Sequence, residues 1–432
     1  MTWRVVHADL RAGTPQIEPG TAPAYAVFWW GSLPLGTGAF LPEELPLGRD
    51  RLLALAAQFV AQQLAARLPR LGGLPRASGD GRPLVRTSLE AVRDFSDIAA
   101  IDALAMPAEA RADDMSVIVC TRDRPPELAA CLRALAAQRC PPGEILVIDN
   151  SVARSAESSC AAFPQVRYVH EPRPGLSAAR NAGIAHSTRA LLAFTDDDVE
   201  VHSDWTAELV RAFDNAPDAD SVTGLVVPAS LETEAQRFFQ FEMGGFGACY
   251  VPMRFEQRFF AESLPHGPQV WRIGAGANMA FRRAVFERIG GFDERLGAGA
   301  AGCSEDSELW YRILAAGGTC MYEPRAVVFH HHRADWAGFR RQMRAYMRGH
   351  VAALVVQNDR HGHAGNLRRI GGQLPSYFVK AAMTALRNGS GDRGRVLLDE
   401  VRGWMAGLLF LLRPGWRRSD IARAPAPIAA PR

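Results

Sequence analysis

The sequence predicts an α/β domain in the middle of the chain, built on a mostly parallel sheet that is flanked by helices. From residue 115 onward, short apolar runs alternate with helix-like stretches, which is typical of repeated β-α-β units. A hydrophobic content of 48% over 432 residues is enough for a full-sized core and excludes a disordered chain. Carboxylates stand at the ends of two predicted strands, at 149 and 196–198, and such sheets bind ligands at the carboxyl ends of their strands.

The elements of this domain follow in order. The predicted strands are SVIVC (116–120), EILVIDN (144–150), VRYVH (166–170) and ALLAFTDDD (190–198), and the predicted helices cover 127–138 and 176–187. Each strand is short and apolar, as expected for a strand that is buried in a sheet. We place the domain at 113–335.

Residues 1–110 are predicted to form an N-terminal α+β accessory domain. The stretch 20–41 carries no charge, but its prolines and glycines predict strand and loop rather than a membrane span. Helical spacing follows over 50–67 and 86–106. This segment either packs on the central domain or binds a protein partner, and the residues do not decide between the two.

Residues 336–432 are predicted to form a basic helical region, with helices over 376–387 and 394–412 and a disordered Pro/Ala-rich tail. The net charge of +3 gives no reason to expect nucleic acid. From Arg333 onward, however, 18 Lys and Arg against 6 Asp and Glu give +12, which leaves −9 for the rest. Either these helices pack on the domain with solvated arginines, which we favour, or they make peripheral contact with anionic lipid.

The seven scattered cysteines form no CxxC pair, so a disulfide framework or zinc site is not expected. The first residues contain no apolar core of a secretory signal. We therefore expect a cytoplasmic protein, with the inner face of the membrane as its alternative location.

Three neighbouring carboxylates at the end of a buried strand are the first candidate for chemistry. Strand alternation sends Asp196 and Asp198 to one side and Asp197 to the other. Two such carboxylates can hold Mg²⁺ or Mn²⁺ that also grips a diphosphate. The alternative is a solvated acidic loop.

Two further motifs could complete such a site. Ser304-Glu305-Asp306 precedes a helical run, so it provides either a capped helix start or a carboxylate that acts as a general base. His330 directly follows the strand-like AVVF and is either a metal or phosphate contact or a surface histidine. His331 and His332 are weaker candidates, because three successive side chains cannot all point inward.

The loops after the predicted strands supply anion- and nucleotide-binding candidates. Arg180 lies in the first turns of the helix that opens PGLSAARN, where helix N–H groups and an arginine can bind an anion. The turn TRDRP after the first strand suits a nucleotide base and ribose. Each motif alone also fits an ordinary turn or capped helix. Their convergence at strand ends indicates a diphosphate-sugar site with a divalent metal.

Residues 115–335 resemble the family 2 glycosyltransferases, inverting enzymes of the GT-A fold. The resemblance is carried, in order, by SVIVCTRDRPPELAACLRAL, EILVIDNS, PGLSAARNAGIAHSTRALLAFTDDDVEV, GAGANMAFRRAVFERIGGFDERLGAG, SEDSELWYRILAAGG and YEPRAVVFHHHR. It covers about half of the chain. It implies a single displacement that moves a sugar from a nucleotide-diphosphate sugar to an acceptor hydroxyl of a glycan, glycolipid or other small acceptor.

The resemblance also implies roles for individual residues. Asp306 would be the catalytic base, with Glu305 as a positioning residue or substitute base. Asp198 would be the more direct metal ligand of a DxD-type pair, with Asp196 nearer the ribose and His330 as a late metal or phosphate contact. The nucleotide-sugar pocket would be formed by Thr121, Arg124, Asp149, Arg180, Asp196, Asp197, Gly276 and Asn278.

Two sequence features argue against other classes of enzyme. It contains no QxxRW motif and no multi-pass membrane region, which argues against a processive polymerase. A sugar-phosphate nucleotidyltransferase would have a glycine-rich basic loop where this chain has TRDRPP. The remaining alternative is an inactive, glycosyltransferase-like protein that binds a nucleotide sugar or serves as a scaffold.

Overall fold

The computed structural model describes residues 2–12, 20–48, 110–247, 249–387 and 391–412, together with residues 17, 51, 54, 55, 58, 59, 105 and 389. The strands are β1 (Arg4–Asp9), β2 (Ala24–Trp30), β3 (Leu33–Phe40), β4 (Met115–Thr121), β5 (Glu144–Asp149), β6 (Val166–His170), β7 (Leu191–Asp196), β8 (Val199–Val201), β9 (Ser221–Pro228), β10 (Met253–Phe255), β11 (Asn278–Arg282) and β12 (Cys320–His330). The α-helices are α1 (Pro125–Ala136), α2 (Glu157–Ala161), α3 (Leu176–His186), α4 (Trp205–Asn215), α5 (Glu234–Arg237), α6 (Gln257–Ser263), α7 (Arg283–Ile289), α8 (Glu305–Ala315), α9 (Trp336–His361), α10 (Gly365–Arg368), α11 (Leu374–Arg387) and α12 (Gly391–Phe410).

The central sheet has the strand order β10-β12-β9-β11-β7-β4-β5-β6, with β8 paired to β12. Strands β7, β4, β5 and β6 are parallel. Every residue of β4 is buried, because helices cover both faces of the sheet there. The expectation of a mostly parallel sheet is confirmed, because β9 and β12 also pair in parallel and run in the same direction as these four strands. In the other half β11 runs antiparallel to both β7 and β9, which makes the sheet mixed.

The predicted central elements agree with the structure to within a few residues, with one consequential difference. The strand expected over 190–198 ends at Asp196, and residues 197–198 form a turn before β8. This turn ends the regular alternation of side chains, and the site below shows its effect.

The described part of the N-terminal region is a small sheet that packs on the central domain. Strand β2 lies between β1 and β3. The side chains of Tyr25, Val27 and Trp29 form one buried cluster with Leu225 and Val327 of the central sheet. Residues 51, 54, 55, 58 and 59 are helical, as expected, whereas the helix expected over 86–106 lies outside the described residues except for Ala105.

The basic C-terminal region is helical where it is described and packs against the central domain. Helices α9 and α12 pack closely, since a Cβ on Gly403 would lie 2.4 Å from the Arg344 carbonyl oxygen. The fully buried Asp399 of α12 accepts hydrogen bonds from Arg340 (2.5 Å) and Arg344 (2.6 Å) of α9. Part of the basic charge is therefore neutralised inside the region. Among the described helices, none combines the length and the apolarity that crossing a bilayer requires. The tail from residue 413 lies outside the described residues.

Candidate active site

A cavity of about 1130 Å³ opens at the carboxyl ends of β4 and β7 and extends to the C-terminal helices. The central domain contributes the strand ends, the loop 274–277 and the start of α8. The opposite wall is formed by α9, α11 and α12, the turn that begins at Arg369, and the side chains of Trp271 and Arg333. The predicted site residues that line the cavity are Thr121, Arg124, Arg180, Asp196, Asp197, Asp198, Gly276, Glu305, Asp306 and His330. Residues far apart in the sequence thus meet at one edge of the sheet, as the topology requires.

The three carboxylates after β7 do not alternate as a strand would. Arg124 Nη1 donates to both Asp197 Oδ1 (3.0 Å) and Asp198 Oδ2 (2.9 Å), so these two side chains share one partner. Asp197 also accepts a hydrogen bond from the Thr121 hydroxyl at 2.8 Å. The expectation that Asp196 and Asp198 face one side and Asp197 the other is therefore wrong, because the chain turns after Asp196. Burial, and then repulsion by Asp198, raise the pKa of Asp197 to about 6.

The carboxylate of Asp198 lies beside the side chains of two arginines and one histidine. His330 Nε2 lies 3.5 Å from Asp198 Oδ1, and Arg333 Nη2 lies 3.5 Å from Oδ2. Burial lowers the pKa of His330, which favours the neutral imidazole that can bind a metal. His331 points outward to Glu200, whereas His332 is buried against His330, with 3.0 Å between their Nδ1 atoms. Of the three histidines, His330 is the one placed beside the carboxylates.

Arg180 is the buried link between the two acidic motifs. Its guanidinium donates to Glu305 Oε1 (2.6 Å), Asp196 Oδ1 (3.2 Å) and the Gly276 carbonyl (3.3 Å). Its side chain is only 2% exposed, and that of Glu305 is 6% exposed. Burial raises the pKa of Glu305, against the opposing effect of the Arg180 charge. Glu305 is thus held by Arg180, away from solvent.

Asp306 is placed differently from its neighbour. It is half-buried and lines the cavity. A Cβ on Gly276 would lie 3.1 Å from Asp306 Oδ2 and 2.8 Å from Arg180 Nη2, so the backbone at Gly276 lies close to both side chains. Oδ1 accepts a hydrogen bond from the Ser307 amide at 2.6 Å. The geometry leaves Oδ2 facing the loop at Gly276, where an acceptor hydroxyl could reach it.

The segment before these acids has unusual backbone and close packing. Ser304 precedes α8 at φ 70°, and its side chain makes no capping hydrogen bond. Of the two alternatives for this motif, the side-chain cap by Ser304 is not formed, and the Ser304 hydroxyl lies 3.1 Å from Cys303 Sγ. A Cβ on Gly302 would lie 2.5 Å from the Ala345 carbonyl oxygen, and one on Gly349 would lie 2.4 Å from the Cys303 amide nitrogen. Helix α9 therefore rests directly on the backbone that leads to Glu305.

Two predicted site residues lie outside the cavity lining. Asp149 is fully buried and accepts hydrogen bonds from the Ser151 and Ala156 amides (2.9 and 3.0 Å), so it holds the loop after β5. Its neighbour Asn150 lines the cavity instead.

Asn278 is also fully buried. Its amide donates to the carbonyls of Leu225 and Ala326, and its oxygen accepts from the Trp205 indole. A sugar contact by Asn278 does not fit this geometry, because its hydrogen-bonding groups are used inside the sheet.

The sequence reasoning missed the opposite wall of the cavity. That wall includes Trp271, Arg333, Arg341, His350 and Arg369. Arg333 follows the histidine triplet directly, so its place near Asp198 could have been inferred. The others depend on how the C-terminal helices pack, and no motif marks them.

The donor set fits a divalent metal that shares its coordination with a ligand. Within the described residues, no group of three His, Cys, Asp or Glu side chains could hold a metal alone. Mg²⁺ is commonly held by one or two carboxylates together with substrate phosphates, and Asp196, Asp198 and His330 provide such a partial set. Because Arg124 and Arg333 contact Asp198 here, a metal at Asp198 would have to compete with these two cations.

A family model described as Glycosyl transferase family 2 matches residues 116–290. This domain belongs to the family 2 glycosyltransferases. The match and the mixed, helix-flanked sheet confirm the expected α/β fold of the GT-A type. Beyond the matched segment, α8 and β12 bring Asp306 and His330 into the same cavity.

Two relatives cover much of the chain. The pre-mycofactocin glycosyltransferase of Mycobacterium tuberculosis is 30% identical over 333 residues, which are 74% of this chain and 64% of that protein. The succinoglycan biosynthesis protein ExoM of Rhizobium meliloti is 29% identical over 329 residues, 71% of this chain and 96% of that protein. This chain thus spans 64% of the length of the mycobacterial relative. Among solved structures, the mannosyltransferase PcManGT of Pyrobaculum calidifontis, in complex with GDP-Man and Mn²⁺, has a TM-score of 0.46 at 18% identity and covers 72% of this chain and 92% of its own.

Proposed function

We propose that this chain is an inverting glycosyltransferase that moves a sugar from a nucleotide-diphosphate sugar to an acceptor hydroxyl. The observation that carries the proposal is the cavity in which the buried Arg180 bonds to both Glu305 and Asp196. Asp306, the neighbour of Glu305, faces the same cavity. Asp306 is available as a base. The carboxylates of 196–198 are available for a divalent metal that would bind the donor phosphates. Membership of the family and the intact acids both favour an enzyme over a scaffold.

In the proposed reaction Asp306 accepts the proton of the acceptor hydroxyl. The hydroxyl oxygen forms a bond to the anomeric carbon as the bond from that carbon to the diphosphate oxygen breaks. The leaving nucleoside diphosphate keeps the bonding electron pair, and the configuration at the anomeric carbon inverts. Arg180 and Glu305 position the base, and no enzyme–sugar intermediate is needed. A metal held by Asp196, Asp198 and His330 would neutralise the leaving diphosphate.

We expect replacement of Asp198 by Asn to remove the metal dependence of nucleotide binding. Calorimetric titration with UDP, GDP and dTDP, with and without Mn²⁺, should show that Mn²⁺ strengthens binding of one nucleotide class. Asp198→Asn should lose about tenfold or more of that Mn²⁺-dependent gain, since a charge-assisted contact contributes about 1.5–3 kcal/mol.

The matched control for this titration is Glu200→Gln, which changes an exposed carboxylate just after the acidic turn. It should bind nucleotide as the wild type does. Failure of all three nucleotides to bind under any metal condition would contradict the proposed donor site.

The acceptor is proposed to be a glycan, glycolipid or other hydroxyl-bearing compound, which places this chain in the synthesis of a saccharide. Support comes from the names of its relatives, one of which acts in succinoglycan biosynthesis. The small sheet of residues 4–40 packs on the central domain through Tyr25, Val27 and Trp29, which argues for an accessory role there rather than a separate partner-binding module.

Peripheral contact with an anionic membrane is also part of the proposal, at the cytoplasmic face. On α11 the exposed side chains Val379, Met383 and Leu386 repeat at helical spacing, with Lys380 and Arg387 exposed beside them. On α12 Leu398, Met405 and Leu409 are exposed in the same way, with Arg402 between the first two. Apolar stripes flanked by cations fit the headgroup region of anionic lipid.

Vesicle sedimentation tests this membrane contact. The protein should bind phosphatidylglycerol vesicles more strongly than phosphatidylcholine vesicles, and binding should weaken as salt rises. Leu386→Ser combined with Leu409→Ser should reduce binding, because both side chains are more than 60% exposed. Leu41→Ser, which changes an exposed leucine of the N-terminal region, is the control. Equal binding to both vesicle types, or none, would contradict the proposal.

A further inference from the structure

The opposite wall of the cavity contains a cluster of cationic and aromatic side chains that the donor site does not use. Trp271 lies in a short 3₁₀ turn (Val270–Arg272), and Arg369 begins a π-helical turn (Arg369–Gln373) between α10 and α11. The Arg369 guanidinium stacks over the Trp271 ring at 4.4 Å from its centre. Its Nε donates to His350 Nε2 at 3.3 Å, and its Nη1 donates to Gln373 Oε1 at 2.8 Å.

The described partners of Arg369 are all neutral. Burial lowers the pKa of His350 to about 3, so its imidazole carries no charge at pH 7. Burial and then the charge of Arg272 lower the pKa of Arg369 to about 10, which still leaves it protonated. The cavity therefore holds a partly buried positive charge whose described contacts contain no carboxylate.

Several other arginines of the same region are paired with carboxylates. Arg340 and Arg344 share Asp399, Arg360 bonds to Glu308, and Arg393 bonds to Glu400. Burial of an arginine is costly unless an anion compensates its charge. An anion from a ligand would complete the site at Arg369, because guanidinium groups bind carboxylate and phosphate well.

The position of the cluster points to the acceptor. Arg369 comes from the C-terminal helices, whereas all the residues assigned to the donor come from the central domain. Trp271 stands only five residues before Gly276, whose backbone adjoins Asp306. Trp271, Arg369 and Asp306 line one continuous cavity, so an acceptor bound at the cluster can extend toward Asp306.

We propose that Arg369, with Trp271 and His350, binds an anionic group, a phosphate or a carboxylate, on the acceptor. The acceptor class is then an acidic saccharide or a sugar phosphate rather than a neutral sugar. This proposal rests on the proposed function, since it assigns the second substrate of the same cavity.

Calorimetric titration of the full chain tests whether an anionic acceptor group binds at Arg369. The donor site is first saturated with the nucleoside diphosphate that binds in the presence of Mn²⁺. The probes are glucose 1-phosphate, glucuronate and neutral methyl β-glucoside. At least one charged probe should bind about tenfold or more tightly than the neutral one. Preference for the phosphate or for the uronate distinguishes the two anions. Arg369→Gln should remove that preference and leave nucleotide affinity unchanged.

Arg368→Gln is the matched control, because Arg368 is an exposed neighbour on the same turn. Equal affinity of wild-type protein for charged and neutral probes would overturn the proposal, whatever the variants do. Equal loss in Arg368→Gln and Arg369→Gln would overturn it as well, since it would indicate a general charge effect. Failure of every nucleotide to bind would instead count against the proposed function, and the probes can still be compared without nucleotide.

Discussion

Asp306→Asn is expected to lower the rate of sugar transfer by about 10²–10⁴-fold while nucleotide affinity stays within a factor of two or so. Asn has nearly the shape of Asp but cannot accept the proton of the acceptor hydroxyl. The Ser307 amide can still donate to the side-chain oxygen, so the start of α8 should remain in place. Release of nucleoside diphosphate in the presence of donor and a panel of acceptors measures the rate, and calorimetry measures the affinity.

A comparison with Glu305→Gln separates the two neighbouring acids. Glu305 is bonded to Arg180 and buried, so its replacement should affect stability and the position of the base more than proton transfer. Asp214→Asn, an exposed change on α4, should leave both the rate and the affinity unchanged. A fully active Asp306→Asn enzyme would show that the proton is accepted elsewhere. A variant that loses nucleotide affinity together with the rate would assign Asp306 to the donor site.

Arg180→Met is expected to lower the free energy of unfolding by about 3–5 kcal/mol, because it leaves the buried carboxylate of Glu305 without its cation. Glu305 and Asp196 both depend on this guanidinium, and burial already raises the pKa of Glu305. Urea unfolding followed by tryptophan fluorescence measures the change. Arg133→Met, an exposed arginine on α1, should change the free energy of unfolding little.

The double variant Arg180→Met, Glu305→Gln makes this test specific. Removing both partners should restore part of the lost stability, since the uncompensated charge at Glu305 is gone. A single Arg180→Met variant as stable as the wild type would contradict the role of Arg180 as a compensating cation. A double variant that is less stable than the single one would indicate that Glu305 is stabilised by other neighbours.

The strands from β4 to β7 and their helices can be predicted from the sequence, because short segments of the chain carry the pattern for each element. Each strand from β4 to β7 is a short apolar run, and each is followed by a turn and helix or by the acidic turn, so alternation predicts both the elements and their parallel pairing. The second half is different, because β11 runs antiparallel between β9 and β7 through contacts that no periodicity encodes. The same holds for Asn278, whose polar side chain looks like a ligand contact but satisfies carbonyls and an indole inside the sheet.

The sequence predicts residues on the proposed donor side of the cavity, but it does not predict those on the proposed acceptor side. Asp198, Asp306 and His330 each follow a recognisable strand or begin a recognisable helix, and the topology brings them together. Trp271 and Arg369 meet only because α9 and α10 fold back across the domain. The pairing of Arg124 with both Asp197 and Asp198 was also hidden, since it depends on a turn that interrupts the strand.

The close packing of α9 on residues 302–303 makes the C-terminal helices a mechanical support for Asp306, the proposed base. The Ala345 carbonyl and the Cys303 amide lie where even a methyl group on Gly302 or Gly349 would not fit, so α9 cannot slide without moving the backbone before Glu305. Arg348 of α9 fastens the same loop through the Ala301 carbonyl at 2.6 Å. Attachment of the C-terminal helices to a surface would therefore alter turnover before it altered donor affinity. Because the same helices position Arg369 and support the backbone before Glu305, changes in acceptor recognition would also change the geometry around Asp306.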